Sequence, residues 1–137
     1  MKVKVLFEDK YQVVGVMTGD ECPSEDFICS NEANTLALRQ GLMEMLRFVA
    51  SNGLSTMPHG WSHEGSKADG IYEFRKGTLR LFYFKGVGNQ IAVCTAGALK
   101  KGRKADKKTV AKAATSRSAY FSAIETKTCE VIGDEDE

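Results

Sequence analysis

Between Ile71 and Phe84 the chain reads as two runs of β-branched, aromatic and leucine residues, separated only by Lys76-Gly77. Two such runs across a two-residue break containing glycine form a β-hairpin. With Lys76-Gly77 as the turn, Arg75 pairs with Thr78, Phe74 with Leu79, Glu73 with Arg80 and Tyr72 with Leu81. One face of this hairpin collects Tyr72, Phe74, Leu79, Leu81 and Tyr83. The other carries Glu73, Arg75, Thr78 and Arg80, with Ile71, Phe82 and Phe84 toward its far end. The apolar face needs a helix to lie on. The carboxylate opposite a guanidinium is either a cross-strand ion pair or half of a site.

The segment before the hairpin supplies the helix. From Ser30 or Asn31 as N-cap, Leu38, Leu42, Met45 and Val49 form one stripe, with Leu36, Met43 and Leu46 beside it. This helix runs to about Ser51 and stops at Asn52-Gly53. Gly41 inside it costs about 1 kcal/mol relative to alanine. Upstream, Lys2–Phe7 and Tyr11–Thr18 read as two strands around a Glu8-Asp9-Lys10 turn, followed by a short helical turn over 20–28 with Pro23 at a first helical position. Downstream, 57–70 reads as loop, and a third meander strand spans Gln90–Thr95. A last helix starts near Asp106, with Val110, Ala113, Ala114, Arg117, Phe121 and Ile124 at helical spacing. The expected fold class is α/β (α+β): an antiparallel sheet packed against N-terminal helices, with a C-terminal helix. The domain is expected to occupy 1–132 and a disordered acidic tail 133–137.

A length of 137 residues allows one core that needs neither disulfides nor a structural metal. The apolar runs are far short of the ~20 residues that span a bilayer. The first residues enter an alternating strand pattern instead of an apolar leader core. A cytoplasmic protein with no membrane association is therefore expected. Cys22, Cys29, Cys94 and Cys129 are widely spaced without a CxxC pair, so they read as free thiols. His59 and His63 have an i, i+4 spacing, but Pro58 and Gly60 oppose a helix there, and no metal is expected. Trp61 reads as a loop anchor over the sheet.

The net charge of +1 conceals a sharp asymmetry. Residues 1–70 hold six basic and ten acidic side chains; residues 71–127 hold thirteen basic and three acidic ones; the last ten hold five acids and no base. A strongly basic half is the footprint of a polyanion partner, although a solvated lysine-rich face is the plainer reading of any charge run. Lys107, Lys108 and Lys112 sit on the first turns of the last helix, where the helix dipole disfavours cations, so helix stability alone does not select them. A phosphate-bearing partner would account for them. Arg75, Arg103, Lys104, Lys107, Lys108 and Lys112 are the candidate RNA contacts. Sequence-specific DNA readout is not indicated, because no helix-turn-helix, zinc-finger or basic-zipper pattern is present. Gly86-Val87-Gly88 lacks the lysine and following helix of a phosphate loop.

Several motifs taken in order resemble the phage-derived HigB-like branch of the RelE/ParE toxin superfamily. They are Cys22-Pro23-Ser24-Glu25-Asp26-Phe27-Ile28, Gly70-Ile71-Tyr72-Glu73-Phe74-Arg75, Leu79-Arg80-Leu81-Phe82-Tyr83, and Gly97-Ala98-Leu99-Lys100-Lys101 followed by Ala113. The resemblance implies a small RelE-like sandwich. It also implies a type II toxin that cleaves mRNA, on the ribosome in well-studied members, without a small-molecule cofactor. Its partners would be mRNA, the ribosome and a cognate helix-turn-helix antitoxin. By the same resemblance Arg80, Glu73, Lys100 and Lys101 are the catalytic candidates: Arg80 and the lysine pair for phosphorane charge, Glu73 as base or as the group that orients Arg80. His63 could reach in from the loop. Ala98 stands where the family usually has Phe, and Asp106 where it often has Pro. The other function class left open is a non-enzymatic ParE-like inhibitor, or an inactive relic that binds RNA or antitoxin.

Overall fold

The computed structural model describes residues 1–100 and 107–133. Among these residues seven strands form one sheet: β1 (Lys2–Glu8), β2 (Gln12–Val16), β3 (Ser62–Ser66), β4 (Ile71–Lys76), β5 (Leu79–Phe84), β6 (Gln90–Leu99) and β7 (Glu130–Ile132). Three α-helices accompany them: α1 (Pro23–Ile28), α2 (Leu36–Asn52) and α3 (Lys107–Glu125). The spatial order is β3-β4-β5-β6-β2-β1-β7.

The mixed α+β class, the β1–β2 hairpin and the β4–β5–β6 antiparallel meander agree with the sequence reading. The sheet as a whole is mixed rather than antiparallel throughout, because β2 joins β6 in parallel and β7 joins β1 in parallel. The stretch 57–70 contains a strand where loop was expected. Ser-His-Glu-Gly-Ser has almost no β-propensity of its own, and pairing against β4 is what extends it. β7 was also unanticipated, being three residues long and attached only through β1. α2 begins at Leu36, later than the Ser30 or Asn31 cap, because 33–35 coil into a 3-10 turn ahead of it. Leu36 is exposed. Gly53 ends α2 as expected, at φ +90° with its N–H on the Val49 carbonyl at 2.8 Å. β6 continues four residues past Thr95 through Ala96, Gly97 and Ala98, whose small side chains leave room for larger groups on both faces.

Each face of the sheet has its own core. Leu42, Met45, Leu46 and Val49 of α2 cover Val13, Phe74, Leu79, Leu81, Tyr83 and Ala92 on one side, with Phe74 and Tyr83 stacked at 4.0 Å. Trp61 joins this layer, edge-on to Phe48 at 5.3 Å, as the anchor expected of it. On the other side Ala113 and Tyr120 of α3 meet Val3, Val5, Val14, Ile71, Phe82, Phe84 and Val93. Within the hairpin, both faces hold the residues that alternation assigned to them. Cys22, Cys29, Cys94 and Cys129 are free thiols. Among the described residues no helix is long and apolar enough to cross a membrane. Residues 134–137, most of the acidic tail, lie outside the described residues.

Tyr120 gives a direct test of this second core. Its buried hydroxyl donates to Gln90 Oε1 at 2.6 Å and accepts from the Val87 N–H at 3.2 Å, fastening α3 to the β5–β6 loop. Tyr120→Phe removes both hydrogen bonds while keeping the ring. The expected loss is about 1–2 kcal/mol, or roughly 4–8 °C in Tm, read by thermal denaturation.

Candidate functional site

The β4–β5 turn decides how the charged residues meet. Gly77, not Lys76, opens the two-residue turn, with φ +57°, and Lys76 pairs with Leu79. A loop of Gly-X form takes its positive φ at the first central position, which is where this glycine stands. The pairing is therefore displaced by two residues from the expected one: Arg75 lies opposite Arg80, Phe74 opposite Leu81 and Glu73 opposite Phe82. A two-residue shift preserves the sheet face of every side chain, so Glu73, Arg75 and Arg80 still share the α3 face. The expected direct Glu73–Arg80 pair is replaced by a diagonal contact.

Two arginines directly opposite one another repel. Glu73 resolves this: its Oε1 accepts from Arg75 Nε and Nη2, both at 2.7 Å, and lies 3.9 Å from Arg80 Nε. The Glu73 side chain is 4% exposed, that of Arg80 12% and that of Arg75 38%, so the carboxylate forms the floor and the guanidinia the rim. Arg80 curls over the turn, donating through Nη1 to the carbonyls of Gly77 (2.7 Å) and Leu79 (2.9 Å). Its Nη2 has no partner among the described residues. Burial first, and then the neighbouring Arg75, hold Arg80 below the ordinary arginine range, with Glu73 pulling the other way; it remains a cation at any physiological pH. Opposite Arg80 on β6 is Ala98, whose methyl leaves the guanidinium uncrowded on that side.

The remaining candidates fall around this centre. Lys100 continues the β6 register, its N–H donating to the Thr78 carbonyl at 2.8 Å, and its side chain is exposed beside the hairpin turn. Lys107, Lys108 and Lys112 are exposed on the first turns of α3, the helix that packs on this sheet face. Lys101, Arg103 and Lys104 lie outside the described residues.

His63 gains a definite position. On β3 it is the direct cross-strand partner of Glu73, and it is exposed. The row His63–Glu73–Phe82 thus puts an imidazole, a buried carboxylate and the arginine pair on adjoining positions of three strands. In the sequence His63 looked like a loop residue, because nothing local marks β3 as a strand.

Chemically, the cluster offers fixed positive charge oriented by a buried carboxylate, with an imidazole on the neighbouring strand position. That combination suits an oxyanion or phosphate. Glu73 is better placed to orient the arginines than to accept a proton, since Oε1 is engaged and almost none of the side chain reaches solvent.

The model of the family described as "Phage derived protein Gp49-like (DUF891)" matches residues 36–118, a span that includes Glu73, Arg75, Arg80 and Lys100. No curated protein matches the sequence.

Proposed function

Since the chain belongs to the phage-derived Gp49-like family, a family associated with toxin–antitoxin systems, we propose that it is the toxin of such a pair and acts as an mRNA endoribonuclease. The observation that carries this reading is the Arg75–Arg80 pair held over buried Glu73 on a sheet face flanked by lysines. The motifs that resemble the HigB-like branch of RelE/ParE toxins supply its second support.

In the reaction, the 2′-hydroxyl of one nucleotide attacks the adjacent phosphorus. The bond to the 5′-oxygen breaks, leaving a 2′,3′-cyclic phosphate and a 5′-hydroxyl, so no water or other co-reactant is consumed. Arg80, with Lys100 and Lys101, would stabilise the charge that builds on the phosphorane oxygens. Glu73 would orient Arg75 and Arg80, and His63 would move the proton between the 2′- and 5′-oxygens. Lys104, Arg103 and the lysines of α3 would track the phosphate backbone, giving binding that weakens steeply with salt. A helix-turn-helix antitoxin would neutralise the protein in the cell.

Induction in a bacterial host tests the reading. Protein synthesis should stop within minutes, new 5′-hydroxyl ends should appear in cellular mRNA, and a small helix-turn-helix protein encoded beside it should relieve the arrest when co-expressed. Arrest of DNA replication with intact mRNA would instead indicate a ParE-like inhibitor and overturn the nuclease.

A further inference from the structure

On the opposite side of the sheet from the arginines, a cleft of about 620 Å³ opens between β3–β5 and the loop after α2. Leu54 and Met57 from that loop, with Ile91, form its apolar wall. Tyr72, Glu64 and Lys85 supply its polar groups. Tyr72 is half-buried, and the ammonium of Lys85 lies over its ring at 5.1 Å, so the ring presents an electron-rich face to an exposed cation. Glu64 is exposed and is the direct cross-strand partner of Tyr72, placing a carboxylate on the same side of the sheet as the ring. Beneath them Tyr83 is fixed: its hydroxyl and Ser62 Oγ are 2.6 Å apart, and its ring stacks on Phe74. The floor is therefore rigid and the rim carries the adaptable charges.

We propose that this cleft is a nucleotide-binding subsite. A π-face, apolar walls and an adjacent flexible cation are what a nucleobase and its phosphate require together: the base stacks on Tyr72 in place of the ammonium, and Lys85 moves onto the phosphate. A volume of about 620 Å³ is within the range of small-ligand sites and accommodates one nucleotide. Glu64, an acceptor-only group, selects among bases. Guanine presents two neighbouring N–H donors on its Watson–Crick edge, whereas adenine and cytosine present one amino group and uracil one ring N–H. The carboxylate thus favours guanine. An apolar peptide segment is the poorer fit, because half the named lining is charged or aromatic with a polar neighbour. The inference rests on the RNA reading only for the nucleotide's source, a free mononucleotide or one residue of an RNA strand; the binding chemistry stands without it.

The experiment is amide NMR titration of the full chain with 5′-GMP, AMP, CMP and UMP, and separately with a ten-nucleotide RNA of mixed sequence. Shifts at Glu64, Tyr72 and Lys85 are expected, with GMP strongest among the mononucleotides; His63, which edges the cleft from β3 and is also assigned the proton transfer, is left out of the readout. If the source is a strand, the RNA should bind more tightly than GMP at the same resonances. Lys85→Glu, an exposed change, should weaken binding roughly ten-fold, and Tyr72→Leu should do so by a similar factor by removing the stacking face. Glu64→Gln should abolish the preference for GMP. Silence of the cleft resonances with every probe, or shifts unaffected by both Lys85→Glu and Tyr72→Leu, would overturn the subsite. RNA-induced shifts confined to Arg75 and Arg80 would overturn it too while leaving the nuclease reading intact. GMP binding in the cleft of a protein that leaves mRNA uncut would do the reverse.

Discussion

Arg80→Ala is expected to keep the fold and abolish growth arrest. The substitution removes a side chain that bonds the Gly77 and Leu79 carbonyls at the hairpin turn, a local loss of about 1 kcal/mol. It also relieves the repulsion between Arg80 and the directly opposed Arg75. The melting temperature should therefore move little. In the proposed reaction, however, the same side chain supplies transition-state charge from a preorganised position, and deleting one such donor costs about 10²–10³-fold in rate. Cleavage of a defined mRNA, assayed with purified protein in a reconstituted translation system, should fall by at least that factor. Arg80→Lys should recover part of it, because the charge returns without the planar fork. Glu73→Gln separates two roles for the carboxylate. As an orienting group its loss should leave a measurable fraction of activity and lower stability, whereas a proton acceptor would fall as far as Arg80→Ala. Growth arrest by Arg80→Ala as strong as that of the parent would remove the arginine pair from the mechanism.

The second large effect is expected at Gly97→Ala, on stability. A Cβ at this position would overlap Cγ and Cδ2 of the Phe27 ring, which packs directly on the glycine. Phe27 has little freedom to withdraw. The Arg39 guanidinium lies over the same ring at 4.8 Å, and buried Arg39 is itself held by the Thr35 hydroxyl at 2.9 Å and by the Phe27 carbonyl. Overpacking at such a site costs about 1–3 kcal/mol, or roughly 4–12 °C in Tm for a chain of this size. Adding Phe27→Leu to Gly97→Ala should restore part of the loss, a non-additivity visible in a double-mutant cycle. Additive losses would show that ring and glycine are not in contact. Gly97 is one residue before Ala98, the partner of Arg80, so α1 and the arginine site are braced through the same short stretch of β6.

The hairpin, α2 and both sheet faces were legible because period-two and helical patterns survive in their sequences: Tyr72, Phe74, Leu81 and Tyr83 cannot be turned outward without exposing a core. What escaped was decided elsewhere. β3 reads Ser-His-Glu-Gly-Ser and is extended by hydrogen bonding to β4. β7 follows the same rule against β1. The parallel joins between β2 and β6 and between β1 and β7 are long-range pairings, and no local pattern records them. For the site, residue types and faces could be read in advance, but adjacency could not: the meeting of Glu73 with both arginines depends on which residue opens the turn, and the place of His63 on an unpatterned strand.

That turn also makes the hairpin degenerate in an informative way. A slide of two residues keeps every side chain on its own sheet face, so the alternation of apolar and polar residues alone does not discriminate between a Glu73–Arg80 pair and an Arg75–Arg80 pair. The turn adds to that choice through Gly77, whose positive φ opens it and which packs closely on Leu38 of α2. The electrostatic character of the surface is thus encoded separately from the fold that carries it. Moving the turn-opening glycine back by one position, at the cost of Lys76 in β4, would re-address the charges from opposed cations to a neutral ladder while each remaining strand residue kept its sheet face.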